Sequence, residues 1–163
     1  MKAVILCGGL GTRLREETEF RPKPMVEVGG RPILWHILKT YQYFDIKDFI
    51  LCLGYKAEVI KEYFLSYKAM NSDITLSPSD PNSIQYHEID EMTDDFQVTL
   101  AHTGETTMTG GRLLRVKKYI GSDKTFVLTY GDGVSDVDIE KLVVFHKSHG
   151  KLATVTALSL IHI

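Results

Sequence analysis

The chain has 163 residues, and its 19 lysines and arginines nearly balance its 21 aspartates and glutamates, for a net charge of −2. Hydrophobic residues make up 44% and charged residues 25% of the sequence, which is the composition of a globular protein of roughly one domain. The balanced charge excludes the basic field that binds a nucleic-acid backbone. No apolar run reaches the ~18 residues of a membrane span, and the amino terminus does not resemble a signal peptide. We therefore expect a cytoplasmic chain without nucleic-acid or membrane partners.

The first part of the chain alternates between strand and helix patterns. Residues 2–7 form a continuous apolar run ended by Gly8, which predicts a buried strand of the parallel-sheet type. One-sided apolar spacing over 32–44 predicts a helix that begins at a proline. A second buried strand is predicted over 49–53, and a second amphipathic helix is predicted over 59–67.

The middle of the chain changes character. Serine, aspartate and proline over 71–82 favour turns. Segments 84–89 and 96–102 alternate enough to be strands, and we expect them to form a small antiparallel insertion. Helical periodicity returns over 112–120.

The last part returns to the pattern of the first. A third buried strand is predicted over 125–130, followed by a helix over 135–149 that opens on a capping box and ends at Gly150. The apolar run 152–158 predicts a fourth core strand. Strands that alternate with helices indicate an α/β fold with a mostly parallel central sheet, in a single domain over 1–163.

Directly after the first strand comes a glycine-rich segment, GGLGTRL. Its glycines leave backbone N–H groups open to a phosphate chain, and Arg13 adds a guanidinium suited to phosphate oxygens. A tight turn without a ligand is the alternative that these residues leave open. The segment lacks the Gly-Lys-Ser/Thr ending of a Walker A loop, and Leu14 stands where a dinucleotide fingerprint requires glycine. An NAD-binding oxidoreductase is therefore disfavoured.

Lys23 stands between two prolines, ten residues after Arg13. Pro22 and Pro24 stiffen the segment and keep it out of a helix interior. A lysine held in this way can direct its ammonium at a phosphate with little loss of entropy. From the residues alone, a solvated loop charge is an equally good interpretation.

The stretch AVILCGGLGTRL, with RPKPMVEVGGRPILWHIL shortly after it, resembles the amino-terminal signature of sugar-phosphate nucleotidyltransferases. These enzymes join a nucleoside triphosphate to a sugar 1-phosphate and release pyrophosphate. The resemblance implies a Rossmann-like three-layer nucleotidyltransferase fold, with Arg13 and Lys23 as catalytic cations. It implies nucleotide contacts from the loop and its flanks, namely Leu6, Gly8, Gly9, Leu10, Gly11, Thr12, Arg13 and Lys23. The family usually has alanine where this chain has Cys7, and we expect no functional effect of that change.

A second motif, Tyr-Gly-Asp-Gly, follows the strand predicted over 125–130. Its aspartate, Asp132, lies at the same predicted sheet edge as the glycine-rich segment, and Mg²⁺ prefers carboxylate and phosphate oxygens together. From the residues alone, Asp132 is equally a turn residue that caps the next segment. The family resemblance implies that Asp132 is a magnesium ligand.

The form Tyr-Gly-Asp-Gly, together with MTGGRL before it, resembles the cytidylyl-transferring branch of the family more than its thymidylyl or uridylyl branches. This resemblance implies CTP and glucose 1-phosphate as substrates and Mg²⁺ as the cofactor. It adds further nucleotide contacts from Thr107, Thr109, Arg112 and Gly131. A uridylyl or thymidylyl transferase is the alternative within the family.

The implied reaction needs no protein nucleophile, because an oxygen of the sugar phosphate attacks the α-phosphorus of CTP in line and pyrophosphate leaves. Members of the family are longer than this chain, and their second metal carboxylate and sugar-phosphate lysine lie downstream of 152–158. We therefore expect a chain truncated at its carboxyl end, from an enzyme that is a homo-oligomer at full length. The alternative is a nucleotide-binding fragment without turnover.

Overall fold

The computed structural model describes residues 1–9, 20–87 and 94–157. Its elements follow one another as β1 (Lys2–Leu6), a 3₁₀ helix (Lys23–Met25), β2 (Glu27–Val28), β3 (Arg31–Pro32), α1 (Ile33–Tyr43), β4 (Asp48–Leu53), α2 (Ala57–Leu65), α3 (Tyr67–Met70), β5 (Asp73–Ser77), β6 (Asp80–His87), β7 (Gln97–His102), α4 (Thr109–Ile120), β8 (Val127–Tyr130) and α5 (Ile139–His149). The strand predicted over 2–7, the helix over 32–44 and the strand over 49–53 are confirmed. Within the described ranges, no helix is both long and apolar enough to cross a membrane.

Four parallel strands form the central sheet, in the order β7-β4-β1-β8. β1 lies between β4 and β8, with Leu6 paired to Cys52 on one side and to Tyr130 on the other. β7 lies along the far side of β4, where His102 pairs with Leu53. Because all four strands run in one direction, the residues that follow them gather at a single edge of the sheet.

The central strands are buried on both faces because helices cover each side. On one face, Ile5 of β1 belongs to a buried cluster with Leu34 and Leu38 of α1. On the other face, Val4 of β1 belongs to a second buried cluster with Val116 of α4. Neighbouring residues of β1 therefore pack in opposite layers, as the pleat of a strand requires. The predicted α/β layered fold with a mostly parallel sheet is confirmed.

The prediction for the middle of the chain is partly wrong. The turn-rich segment 71–82 contains β5, which pairs with β6 in an antiparallel hairpin. The strand predicted over 96–102 is β7, and it runs parallel to β4 in the central sheet instead of joining the insertion. The burial of the side chains gives the reason. Val98 and Leu100 of β7 pack against the core, whereas Ile74 of the hairpin is exposed.

The helix predicted over 135–149 begins later than expected, at Ile139. Its cap is Asp138, whose Oδ1 accepts a hydrogen bond from the backbone N–H of Lys141 at 2.9 Å. The helix ends at Gly150, which has a φ of 64°. A glycine in this left-handed conformation is a common helix stop, as the sequence predicts.

Of the two strands predicted near the end of the chain, one is present in the structure and the other is not found at its described positions. The one predicted over 125–130 is confirmed as β8, but it is an edge strand with one face uncovered, and Leu128 is exposed. The strand predicted over 152–158 is wrong at residues 152–157, which form no strand. The last predicted position, Leu158, lies outside the described residues. The described part of this run pairs with no strand of the central sheet, and Leu152 is exposed.

Candidate functional site

The loops that follow the parallel strands line a cleft of about 660 Å³ at the carboxyl edge of the central sheet. The described residues that line it are Leu6, Cys7, Gly8, Gly9, Lys23, Pro24, Glu105, Thr106, Thr107, Met108, Thr109, Arg112, Tyr130 and Asp132. Open α/β sheets bind ligands at this edge, beyond the carboxyl ends of the strands. Residues predicted for the site from separate parts of the sequence therefore meet at one place.

Gly8 and Gly9, the first two glycines of the predicted loop, serve different purposes. Among the described residues, apart from its chain neighbours, no atom lies within 4 Å of the position that a Cβ of Gly9 would take, and Gly9 lines the cleft. At Gly8, by contrast, a Cβ would stand 2.0 Å from Nη1 of Arg112. Gly8 therefore makes room for an arginine, a use that the sequence does not reveal. Four predicted members of the loop lie outside the described residues, namely Leu10, Gly11, Thr12 and Arg13.

Arg112 of α4 ties the ends of two strands to the loop after β7. Its Nη1 donates to the carbonyl of Leu53 at 3.2 Å and to Oγ1 of Thr103 at 2.7 Å. Its Nη2 donates to the carbonyl of Gly8 at 2.9 Å and to that of Glu105 at 3.0 Å. A guanidinium has four Nη hydrogens, and protein oxygens accept all of them. The nucleotide contact predicted for this side chain stays a prediction.

The Arg112 guanidinium is a buried positive charge that no carboxylate pairs with in the described part of the chain. The residue is 5% exposed, and burial lowers its pKa from the ordinary value of arginine. The nearby thiols do not neutralise it, because burial raises the pKa of Cys52 to about 11 and raises that of Cys7 as well. A buried cation in the lining of the cleft, with no carboxylate partner among the described residues, favours the binding of an anion there.

An ion pair marks the β8 end of the cleft. Lys23 opens the 3₁₀ helix, in which the backbone N–H of Met25 donates to the carbonyl of Pro22 at 2.8 Å. The Lys23 Nζ lies 3.4 Å from Oδ2 of Asp132, and both side chains are partly exposed. The two residues are 109 positions apart in sequence, and the fold brings them to one side of the cleft.

Gly131 determines how the chain reaches Asp132. Its N–H donates to the carbonyl of Leu6 at 3.0 Å, which extends the contact between β8 and β1 by one residue. A Cβ at this position would stand 2.9 Å from Sγ of Cys7. The glycine lets the end of β8 close against β1, so that Asp132 lies beside the cleft.

Asp132 offers a single carboxylate to a divalent cation. In residues 1–9, 20–87 and 94–157, no group of three or more His, Cys, Asp or Glu side chains is arranged to hold a metal ion. Mg²⁺ does not require such a cage, because it is usually bound by one or two carboxylates together with substrate phosphates. A partly exposed carboxylate beside an anion-attracting cleft fits this donor set.

The loop after β7 contains site residues that the sequence analysis missed. Glu105, Thr106 and Met108 line the cleft beside the predicted Thr107 and Thr109. Thr106 and Met108 are each next to a predicted residue in the sequence, and Glu105 lies two positions before Thr107, so this closeness is the signal that could have found them. The same holds for the other missed lining residues, Cys7, Pro24 and Tyr130.

The sequence profile of one protein family, described as nucleotidyl transferase, matches residues 2–160, which is nearly the whole chain. This chain belongs to the nucleotidyl transferase family. The resemblance seen in the glycine-rich segment is thus confirmed at the level of the family. The match includes all four strands of the central sheet and therefore every described residue that lines the cleft.

Relatives within the nucleotidyl transferase family are close in sequence but longer. The chain is 56% identical over 157 residues to the glucose-1-phosphate cytidylyltransferase of Salmonella typhimurium, a match that covers 96% of this chain and 60% of that protein. It is 49% identical over 158 residues to the probable glucose-1-phosphate cytidylyltransferase of Bacillus subtilis, covering 97% and 60%. The chain thus spans about 60% of the length of these curated relatives.

A solved structure supports the same fold. HddC from Yersinia pseudotuberculosis, complexed with GMP-PN, matches with a TM-score of 0.60 at 26% identity. The match covers 89% of this chain and 53% of that one. This chain therefore shares its fold with that structure over most of its own length.

Proposed function

We propose that this chain forms the nucleotide-binding part of a glucose-1-phosphate cytidylyltransferase. Its substrates are CTP and α-D-glucose 1-phosphate, and its products are CDP-glucose and pyrophosphate. The names of the relatives at 56% and 49% identity support this choice of substrates. The observation that carries the proposal is the convergence of Gly9, Lys23 and Asp132 on one cleft. An open backbone, an ammonium and a carboxylate are the groups that a metal–triphosphate complex requires.

The reaction forms a bond between a phosphate oxygen of glucose 1-phosphate and the α-phosphorus of CTP, and it breaks the bond from that phosphorus to the pyrophosphate group. No protein atom takes part in a covalent bond, so the chain contributes positioning and charge neutralisation. The ammonium of Lys23 binds the triphosphate, and the family resemblance assigns Arg13 the same task. The other proposed nucleotide contacts are Leu6, Gly8, Gly9, Leu10, Gly11, Thr12, Thr107, Thr109, Arg112 and Gly131.

Asp132 is the residue that would hold Mg²⁺. When bound, the ion neutralises negative charge on the phosphate oxygens as the leaving group departs. Without ligand, the ion pair at 3.4 Å balances the charges of Lys23 and Asp132 against each other. Both side chains are partly exposed, so each can exchange its partner at little cost.

CTP binding and pyrophosphate release test the proposal at two levels. Calorimetry is expected to show that the chain binds CTP in the presence of Mg²⁺, and pyrophosphate release after glucose 1-phosphate is added would show that this part also turns over by itself. CTP binding without pyrophosphate release would instead identify a nucleotide-binding module without turnover. A chain that binds neither CTP nor another nucleoside triphosphate would contradict the proposal.

The substitution Asp132→Asn tests the metal assignment. We expect Mg²⁺ to strengthen CTP binding by the unmodified chain about tenfold, which corresponds to about 1.4 kcal/mol, and to have little effect in the variant. Titrations of CTP with Mg²⁺ and with EDTA measure the difference. Asp123→Asn is the matched control, because Asp123 lies outside the cleft and pairs with the amino terminus at 4.0 Å. An Asp132→Asn variant that keeps the full Mg²⁺ effect would remove Asp132 from the metal site.

A further inference from the structure

The order of the strands gives the cleft a polarity. Lys23 and Asp132 lie at the β8 end of the sheet, and Gly9 follows β1 next to it. The loop after β7 lies two strands farther along, at the opposite end. On the proposed function, on which this inference rests, the phosphates lie over Gly9 toward Lys23. The nucleoside then extends toward the loop after β7.

Glu105 places a negative charge at the nucleoside end of the cleft. Its side chain is exposed and lines the cleft. Within the described part of the chain, no hydrogen bond or ion pair engages its carboxylate. The neighbouring Thr106, Thr107 and Thr109 are uncharged. A carboxylate in this position repels phosphate, and the proposed metal ligand, Asp132, lies at the other end of the cleft. A group of the nucleoside that donates hydrogen bonds is the partner that fits it.

The backbone that carries Glu105 is held in place from the protein side. Its carbonyl accepts from Nη2 of the buried Arg112 at 3.0 Å. Two residues earlier, Oγ1 of Thr103 donates to the end of β4 at 2.7 Å. Two residues later, Oγ1 of Thr107 accepts from Nη1 of Arg115 at 2.7 Å. The carboxylate therefore projects from a backbone fixed on both sides, which is what a selective contact requires.

The chemistry of the pyrimidines matches a carboxylate at this place. Cytosine carries an amino group at C4, which donates hydrogen bonds, whereas uracil and thymine carry an accepting oxygen there. An ionised carboxylate only accepts hydrogen bonds, so it attracts the first and repels the second. We infer that Glu105 is a base-specificity residue, whose carboxylate accepts a hydrogen bond from the C4 amino group of the bound cytosine.

The ratio of CTP to UTP affinity tests this inference, because the two pyrimidines differ at C4 and at the protonation of N3. Calorimetric titrations with CTP and with UTP, in the presence of Mg²⁺, are made on the unmodified chain and on Glu105→Gln. We expect the unmodified chain to prefer CTP and the variant to lose about tenfold of that preference, since an amide can also donate to an oxygen at C4. Glu62→Gln is the control, since Glu62 is exposed on α2 outside the cleft.

Each other outcome overturns the inference in a distinguishable way. If the unmodified chain prefers CTP and Glu105→Gln keeps that preference, the base is read by other groups and the proposed function stands. If the variant loses affinity for both nucleotides equally, Glu105 acts on the shape of the loop and not on the base. Circular dichroism and the melting temperature of the variant identify that case. If the unmodified chain binds neither nucleotide, the proposed function fails together with the inference.

Discussion

Arg112 and Lys23 are the two cationic side chains among the described residues that line the cleft, and the protein holds them in opposite ways. Arg112 is buried and donates only to neutral oxygens of the protein. Lys23 is partly exposed and pairs with the carboxylate of Asp132. A buried cation with all its partners inside the protein cannot turn to a ligand without breaking contacts, whereas a partly exposed one can exchange partners cheaply. A nucleotide contact of Arg112 would therefore have to replace contacts within the protein, whereas Lys23 can exchange its partner for a ligand directly.

The largest effect on stability is expected from Arg112→Met, which removes the donors of the Gly8 and Glu105 carbonyls. Each hydrogen bond to a charged donor contributes about 1.5–3 kcal/mol. Removing the buried charge returns part of that loss. We therefore expect the free energy of unfolding to fall by about 3 kcal/mol. Urea titration measures this change in the free energy of unfolding, provided that the m value is the same in the variant and the unmodified chain.

Arg115→Met is the matched control for Arg112→Met. Arg115 lies on the same helix and donates to the same loop, at Thr103 and Thr107, but it is exposed. Water can replace its contacts, so we expect a loss of about 1 kcal/mol or less. Equal losses in the two variants would show that burial does not distinguish the two arginines, and the comparison with Lys23 would lose its basis.

A smaller loss is expected from Gly54→Ala, which crowds the Arg112 guanidinium without removing it. The new Cβ would stand 2.6 Å from Nη1 of Arg112 and 2.8 Å from the carbonyl oxygen of Gly8. The second contact is with backbone, so a shift of the arginine alone cannot relieve it. Overpacking of this kind costs about 1–3 kcal/mol. The change in the free energy of unfolding is again measured by urea titration.

Gly110→Ala is a control of opposite sign for Gly54→Ala. Gly110 lies in the first turn of α4, and outside that helix no atom of the described residues stands within 4 Å of the position of its Cβ. An alanine there reduces the freedom of the unfolded chain, so we expect a gain of up to about 1 kcal/mol. If Gly54→Ala is as stable as the unmodified chain, the packing around the Arg112 guanidinium is looser than the distances from the Gly54 Cβ position indicate.

Much of the fold could be predicted because burial on both faces leaves a continuous apolar run. The runs at 2–7 and 49–53 are the two central strands, and both were predicted correctly. The run at 152–158 is also mostly apolar, although it includes Thr154 and Thr156, and its described positions form no strand. A strand also needs a paired neighbour, which the composition of one segment cannot specify. The strand β5 was missed for the opposite reason. Its hairpin is exposed, and its polar residues favour turns.

The candidate site was predictable where local motifs carry it and not where distant contacts do. Lys23 and Asp132 stand in short motifs, and the structure brings them to one cleft. The hydrogen bonds that Arg112 donates within the protein could not be predicted, because their acceptors include the backbone carbonyls of Gly8 and Leu53. Every residue has a carbonyl, so the sequence does not mark these two. The space that Gly8 leaves for this guanidinium could not be predicted either, because it depends on a contact between residues that are far apart in the sequence.

The smallest effect on stability, and the largest on binding, is expected from Lys23→Gln. A partly exposed ion pair at 3.4 Å contributes little to folding, so the free energy of unfolding should change by less than about 1 kcal/mol. The affinity for CTP should nevertheless fall at least about tenfold, because a charge-assisted contact with phosphate is replaced by a neutral one. Lys47→Gln is the control, since Lys47 also pairs with an aspartate, Asp95 at 3.1 Å, but lies outside the cleft. A Lys23→Gln variant that loses as much stability as Arg112→Met and keeps its affinity for CTP would show that Lys23 stabilises the fold and does not bind the nucleotide. Only a cation that folding does not require is free to exchange a carboxylate partner for a phosphate.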